Sequence, residues 1–177
     1  MTIQTVAPRS TGARPNRGLL VGVAFALMFA ALPASAGNII QELKREGRFT
    51  TLLAALDAAG LTATVAGCDS CTLFAPNNGA CARLPTPTVA ALLKPGNRKK
   101  LGAILTYHVV GARIPAAAVP TSPTLVQTLN SSQAKVLALR RSGNVTVNGV
   151  RVLEANIHAN GSIIHEVRDV LWPGELR

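Results

Sequence analysis

Val145-Thr146-Val147-Asn148-Gly149-Val150-Arg151-Val152 decides the reading of this 177-residue chain. Valines alternate with polar residues on both sides of Asn-Gly, and that dipeptide supplies the two positive-φ positions a type I′ turn needs. The spacing predicts a β-hairpin. Moving outward, Asn160-Gly161 predicts another turn, which opens the apolar run Ser162-Ile163-Ile164-His165-Glu166-Val167. Upstream, Val136, Ala138 and Arg140 sit on alternate positions, as do Leu125, Gln127 and Leu129, after a loop marked by Val119-Pro120 and Ser122-Pro123. The C-terminal half therefore reads as strands.

The segment before about Val109 reads as helices. Ile39, Ile40 and Leu43 share a face, with Gln41, Lys44 and Arg45 opposite, until Gly47 interrupts. Phe49, Leu52, Leu53 and Leu56 mark a second stripe, and Gly60 suits its C′ position. Thr72-Leu73-Phe74-Ala75, ended by Pro76, predicts a buried strand. Thr86-Pro87 reads as an N-cap followed by proline, opening a helix through Val89, Leu92 and Leu93 that stops near Pro95-Gly96. Asn97 reads as the cap of another, with Leu101, Ile104 and Leu105 on one face. Helices first and antiparallel strands later give an α+β class.

The first 36 residues read differently. Arg9, Arg14 and Arg17 precede an uncharged apolar run of 14 residues, Leu19–Leu32, and Ala34-Ser35-Ala36 then offers small residues to a peptidase. That order is a secretory signal peptide, and the run falls short of the about 20 residues of a spanning helix. The expectation is cleavage near Ala36, one domain over 37–177, a secreted or periplasmic location, no membrane span in the mature chain, and a monomer. Without those three arginines the chain keeps 15 Lys+Arg against 8 Asp+Glu, a formal charge of +7. Such a balance favours acidic partners such as anionic polysaccharide, lipid head groups or an acidic protein surface, or it serves solubility alone. Export and the scarcity of aromatics for base stacking (Trp 1, Tyr 1, Phe 4) point away from nucleic acid.

Residues with chemistry are few. Cys68, Cys71 and Cys81 are expected to form a disulfide from Cys68 to either Cys71 or Cys81, with one thiol left over. Cys68-Asp69-Ser70-Cys71 has redox-motif spacing, but no βαβ pattern surrounds it. His108, His158 and His165 match no common zinc spacing, so neither metal nor cofactor is expected, and His108 and His165 read as buried structural residues. Asp57, Asp69, Glu154 and Glu166 are far apart in sequence and suggest no paired-carboxylate site. No catalytic residue is assigned. Arg98-Lys99-Lys100, Arg140-Arg141 and Lys44-Arg45 with Arg48 are the basic clusters, and the first lies where a helix dipole disfavours cations. Asn130, Asn144 and Asn160 begin glycosylation sequons.

Three blocks in order carry a family likeness. Thr72-Leu73-Phe74-Ala75-Pro76-Asn77-Asn78-Gly79-Ala80-Cys81-Ala82-Arg83-Leu84-Pro85, Ile104-Leu105-Thr106-Tyr107-His108-Val109-Val110, and Asn160-Gly161-Ser162-Ile163-Ile164-His165-Glu166-Val167 with Asp169-Val170-Leu171-Trp172-Pro173 resemble the fasciclin domain family. The resemblance covers nearly all of 38–173. It implies N-terminal helices packed on a wedge of two mainly antiparallel β-sheets. It also implies a non-catalytic adhesion or binding module whose partner is a cell-surface or matrix protein or an acidic polysaccharide. By resemblance, Tyr107, His108, Asn156 and Ile157 are binding candidates, beside the basic cluster Arg98, Lys99 and Lys100. The family usually carries Phe at Cys81, and Asp where Asn156 stands, so a metal-assisted integrin-type contact is not expected. A carrier of a small apolar ligand and a small thiol-redox protein using Cys68 and Cys71 are the alternatives.

Overall fold

The computed structural model describes residues 38–130, 135–141 and 143–173; the segment read as a signal peptide lies outside them. Helix α1, Ile39–Glu46, starts with a capping box: Asn38 Oδ1 accepts from Gln41 N at 3.0 Å, and Gln41 Oε1 accepts from Asn38 N at 3.1 Å. It ends at Gly47 with φ 69°. Helix α2, Thr50–Ala59, ends in a Schellman motif, with Gly60 N donating to Asp57 O and Leu61 N to Leu56 O, both at 2.9 Å. A five-residue helix, α3 (Thr62–Ala66), follows; it is too short to show a periodic stripe.

Strand β1, Thr72–Pro76, leads into α4 (Asn78–Ala82) and α5 (Thr86–Leu92). Two caps differ from expectation. Pro85 holds the N-cap of α5, so Thr86-Pro87 lies inside the first turn, where a missing N–H costs nothing. A 3-10 turn, Pro95–Asn97, runs directly into α6 (Arg98–Tyr107), and Asn97 turns its side chain away, donating Nδ2 to Ala91 O at 2.7 Å. After α6 come β2 (Val109–Val110), β3 (Thr124–Gln127), β4 (Lys135–Arg141), β5 (Asn144–Val147), β6 (Val150–Ala159) and β7 (Ser162–Val167).

The described strands form one ladder in the order β2-β1-β7-β6-β5-β4-β3, antiparallel except for the β1–β7 pair. The hairpin of the opening stretch forms as read, with Asn148 at φ 51°, Gly149 at φ 79° and Val147 opposite Val150. The expected two sheets share β6. Its first residues pair with β5 and the rest with β7, across register shifts between Val152 and Glu154 and between Glu154 and Ile157. Beyond β3 the ladder curls back on β2: Val110 bridges Thr128, and Leu129 N donates to Val109 O at 2.7 Å.

Two cores result. Leu73, Ala75 and Ile164 face the helices with Leu43, Phe49, Leu52, Leu56, Leu101 and Leu105. Phe74, Val147, Val152 and Val167 fill the inside of the curl with Tyr107 and Leu171. Strands β1 and β7 are buried on both faces, which is why they read as continuous apolar runs and not as alternation.

Candidate functional site

The four family-motif residues lie at two places, Tyr107 and His108 at the end of α6 and Asn156 and Ile157 at the bulge in β6. Tyr107 and His108 are buried, with only 5% and 1% of their surface exposed, and Ile157 lies in the helical core. Tyr107 Oη accepts from Asn148 Nδ2 of the hairpin turn at 2.6 Å. His108 bonds Ile104 O through Nδ1 at 2.8 Å and accepts from Leu171 N through Nε2 at 2.9 Å. Burial, partly opposed by the bond to Ile104, lowers its pKa to about 4, so the ring is neutral with the proton on Nδ1. Asn156, exposed, takes φ 63° at the second register shift, a conformation asparagine tolerates better than most side chains. Its Oδ1 accepts from Ala116 N at 2.9 Å and its N–H donates to His165 Nδ1 at 3.2 Å. His165 Nε2 bonds Ile114 O at 2.8 Å, and burial lowers its pKa against that bond. The motif thus pins loop 111–118 and the C-terminal strap to the sheet, leaving Asn156 alone of the four at the surface.

The structure also joins carboxylates that sequence distance set apart, contrary to expectation. Glu154 and Glu166 are register partners in β6 and β7, and Arg48 sits between them. Its guanidinium lies 2.6 Å from Glu154, 2.7 Å from Glu46 and 3.2 Å from Glu166. Glu166 is buried and also accepts from Asn77 Nδ2, while Asn77 Oδ1 caps α4 through Ala80 N at 2.7 Å. Asn78 Oδ1 accepts from Thr51 N at 3.0 Å, capping α2, which lacks a cap of its own. This is an ion-pair knot that locks the start of α2 to the strands.

Cys68 and Cys71 form a disulfide, and Cys81 remains a thiol whose pKa burial pushes up. Ser162 Oγ donates to Cys68 O at 2.7 Å and accepts from Cys71 N at 3.1 Å, clamping that loop to β7. Cys81 lines an apolar crevice of about 60 Å³ between α2, α5 and α6. His158 is exposed beside Arg113 at 3.3 Å, and among the described residues no group of three His, Cys, Asp or Glu is placed to hold a metal ion. Of the sequon residues, Asn144 and Asn160 are exposed, whereas Asn130 is buried, with Nδ2 donating to Ala103 O at 3.2 Å.

The basic cluster is exposed at the start of α6 and divides in two. Arg98 Nε donates to Ala59 O at 3.0 Å, and its guanidinium lies where a Cβ on Gly60 would stand. A cation there meets the negative end of the α2 dipole, which offsets its unfavourable place on α6. Lys99 and Lys100, with exposed Lys94 one turn earlier, pair with no carboxylate among the described residues. Lys100 also lines a groove of about 290 Å³ that includes Trp172. Sequence reasoning passed over Lys94 and Trp172. The signal available for Trp172 was that it is the only tryptophan, set beside Pro173 and not in an apolar stripe.

Comparison with known proteins agrees with this architecture. The family model "Fasciclin domain" matches residues 47–173. The chain is 36% identical over 148 residues to protein sll1483 of Synechocystis sp., covering 84% of this chain and 80% of that protein. It is 35% identical over 137 residues to the transforming growth factor-beta-induced protein ig-h3 of Sus scrofa, covering 77% of this chain but only 19% of that protein. Among solved structures, a domain pair from the insect cell adhesion molecule Fasciclin I superimposes with a TM-score of 0.67 at 12% identity, covering 78% of this chain and 52% of that one. The fold and the matched span together place this chain in the fasciclin domain family.

Proposed function

We propose that this chain is a non-catalytic extracellular binding module that engages an anionic glycan of a cell surface or matrix through the start of α6. The observation that carries the reading is the exposed group Lys94, Lys99 and Lys100, without a carboxylate partner among the described residues, beside a concave surface. Unpaired cations at the positive end of a helix dipole are unfavourable in isolation, and an anionic partner would relieve them. The family setting supports adhesion as the use, because the matched solved fold belongs to a cell adhesion molecule. Tyr107, His108 and Ile157 serve such binding by holding the frame, since their side chains are buried.

The alternatives have less support. The crevice at Cys81 encloses about 60 Å³ and shares Thr51, Cys81, Leu84, Val89 and Leu93 with an open surface cleft of about 470 Å³, so an apolar ligand finds a cleft open to solvent there and not an enclosed pocket. The Cys68–Cys71 loop lies in no thioredoxin-like setting, and Cys71 is fully buried. The test is retention on immobilised polygalacturonate beside a neutral glucan. The reading expects retention on the acidic matrix alone, and loss of most of it when Lys99 and Lys100 are replaced by Ala. Arg98 is left in place because it closes α2. Equal retention of wild type and variant would reject this surface.

A further inference from the structure

We infer that the groove between α5 and Trp172 is a seat for a single acidic sugar ring, the subsite that gives the basic surface its ligand class; this rests on the glycan-binding reading. Four observations meet there. The groove measures about 290 Å³, at the low end of small-ligand sites. Trp172 lines it and is itself partly buried against the helical core, so an anchored aromatic residue borders the groove. The indole face carries the negative side of the ring quadrupole, which suits the weakly positive C–H face of a pyranose. Lys100 lines the same groove and pairs with no carboxylate among the described residues, and an ammonium there suits a uronate carboxylate or a sulfate.

The remaining walls fit the same ligand. Thr88 supplies a hydroxyl. Asn97 spends Nδ2 on Ala91 O, which fixes the amide and leaves its carbonyl oxygen as an acceptor for a sugar hydroxyl. Pro87 and Ala91 add apolar contact without bulk. One aromatic wall with one adjacent cation suits a single ring; a nucleic-acid strand would ask for successive stacking platforms, which a chain with so few aromatics lacks.

Because Trp172 is the only tryptophan, the intrinsic fluorescence of the protein reports on this groove. The experiment is a fluorescence titration of the full folded domain with a galacturonate oligomer, and in parallel with a cello-oligosaccharide and with poly-glutamate. Expected are a saturable change in Trp172 emission with the acidic oligosaccharide alone, and a fall in affinity of at least tenfold in Ala91→Glu, which places a carboxylate in the groove without touching the core face of Trp172. Trp172→Ala, followed by anisotropy of a labelled oligomer, should lose a similar factor; its thermal melt shows whether it folds, and Ala91→Glu carries the test if it does not. If galacturonate binds with full affinity to Ala91→Glu and leaves the emission unchanged, the groove assignment is overturned while the basic-surface reading stands. If poly-glutamate matches the oligosaccharide in both readouts, charge alone is recognised and the sugar seat is overturned. If no acidic polymer binds at all, both readings fall.

Discussion

His108 spends both ring nitrogens inside the protein, on Ile104 O and Leu171 N, which is why it is neutral and cannot serve as a surface base. Its folded pKa of about 4 lies below the 6.5 of an unburied imidazole. The unfolded chain therefore takes up the proton first as pH falls. Stability is full above about pH 6.5, is lost between there and pH 4, and flattens below. That window is worth about 3 kcal/mol at pH 4. Urea unfolding of wild type and His108→Leu from pH 7 to pH 4 checks this: the variant should be less stable at neutral pH but lose less on acidification, and parallel slopes would contradict it. Sequence placed this histidine after a helical stripe and so marked it as buried and structural. It could not show the second partner, because Leu171 lies 63 residues away. Asn156 is a similar case: the position is legible in the family motif, but its positive φ follows from a bulge that only strand pairing reveals.

At the scale of elements, the clearest device is the knot around Arg48, which ties the α1–α2 junction to the β1–α4 junction and to the β6–β7 pair. Arg48 is about one-third exposed, so its bonds to exposed Glu154 and to Glu46 are screened by water, whereas Glu166 is buried. Removing the arginine leaves that carboxylate with Asn77 as its remaining side-chain partner. Arg48→Ala should cost about 1–3 kcal/mol, and Glu154→Gln under about 1 kcal/mol, both read by urea unfolding at neutral pH; equal costs would contradict this division. Helix stripes, the Gly60 terminus and both Asn-Gly turns were legible because each is set by neighbours a few residues apart. Gly161 adds a longer constraint: at φ 85° a Cβ there would stand 2.5 Å from Asp69 O, so the turn must be bare where the disulfide loop crosses it. The knot, the trans cap from Asn78 and the Arg98 contact with α2 were not legible, since their partners lie tens of residues apart. The carboxylates in particular looked dispersed until β6 and β7 paired.

For the whole molecule, the α+β class followed from local patterns, and the curled ladder did not. Closure depends on Val110 meeting Thr128 and on β6 serving two neighbours, relations that no local period encodes. The curl and the helices bury most of the motif residues and leave the start of α6 as a cationic edge, without a carboxylate partner among the described residues, beside the Trp172 groove. Binding there should be electrostatic and therefore governed by screening, whose length falls from about 10 Å at 0.1 M salt to about 3 Å at 1 M. The decisive measurement is the affinity of the purified domain for polygalacturonate as a function of salt, with wild type and the Lys94→Ala, Lys99→Ala, Lys100→Ala triple variant side by side. Affinity should fall steeply with salt in the wild type, by about tenfold or more across that range, and the variant should bind weakly with a shallower dependence. Tight binding that ignores salt and survives the triple change would contradict glycan capture by this surface.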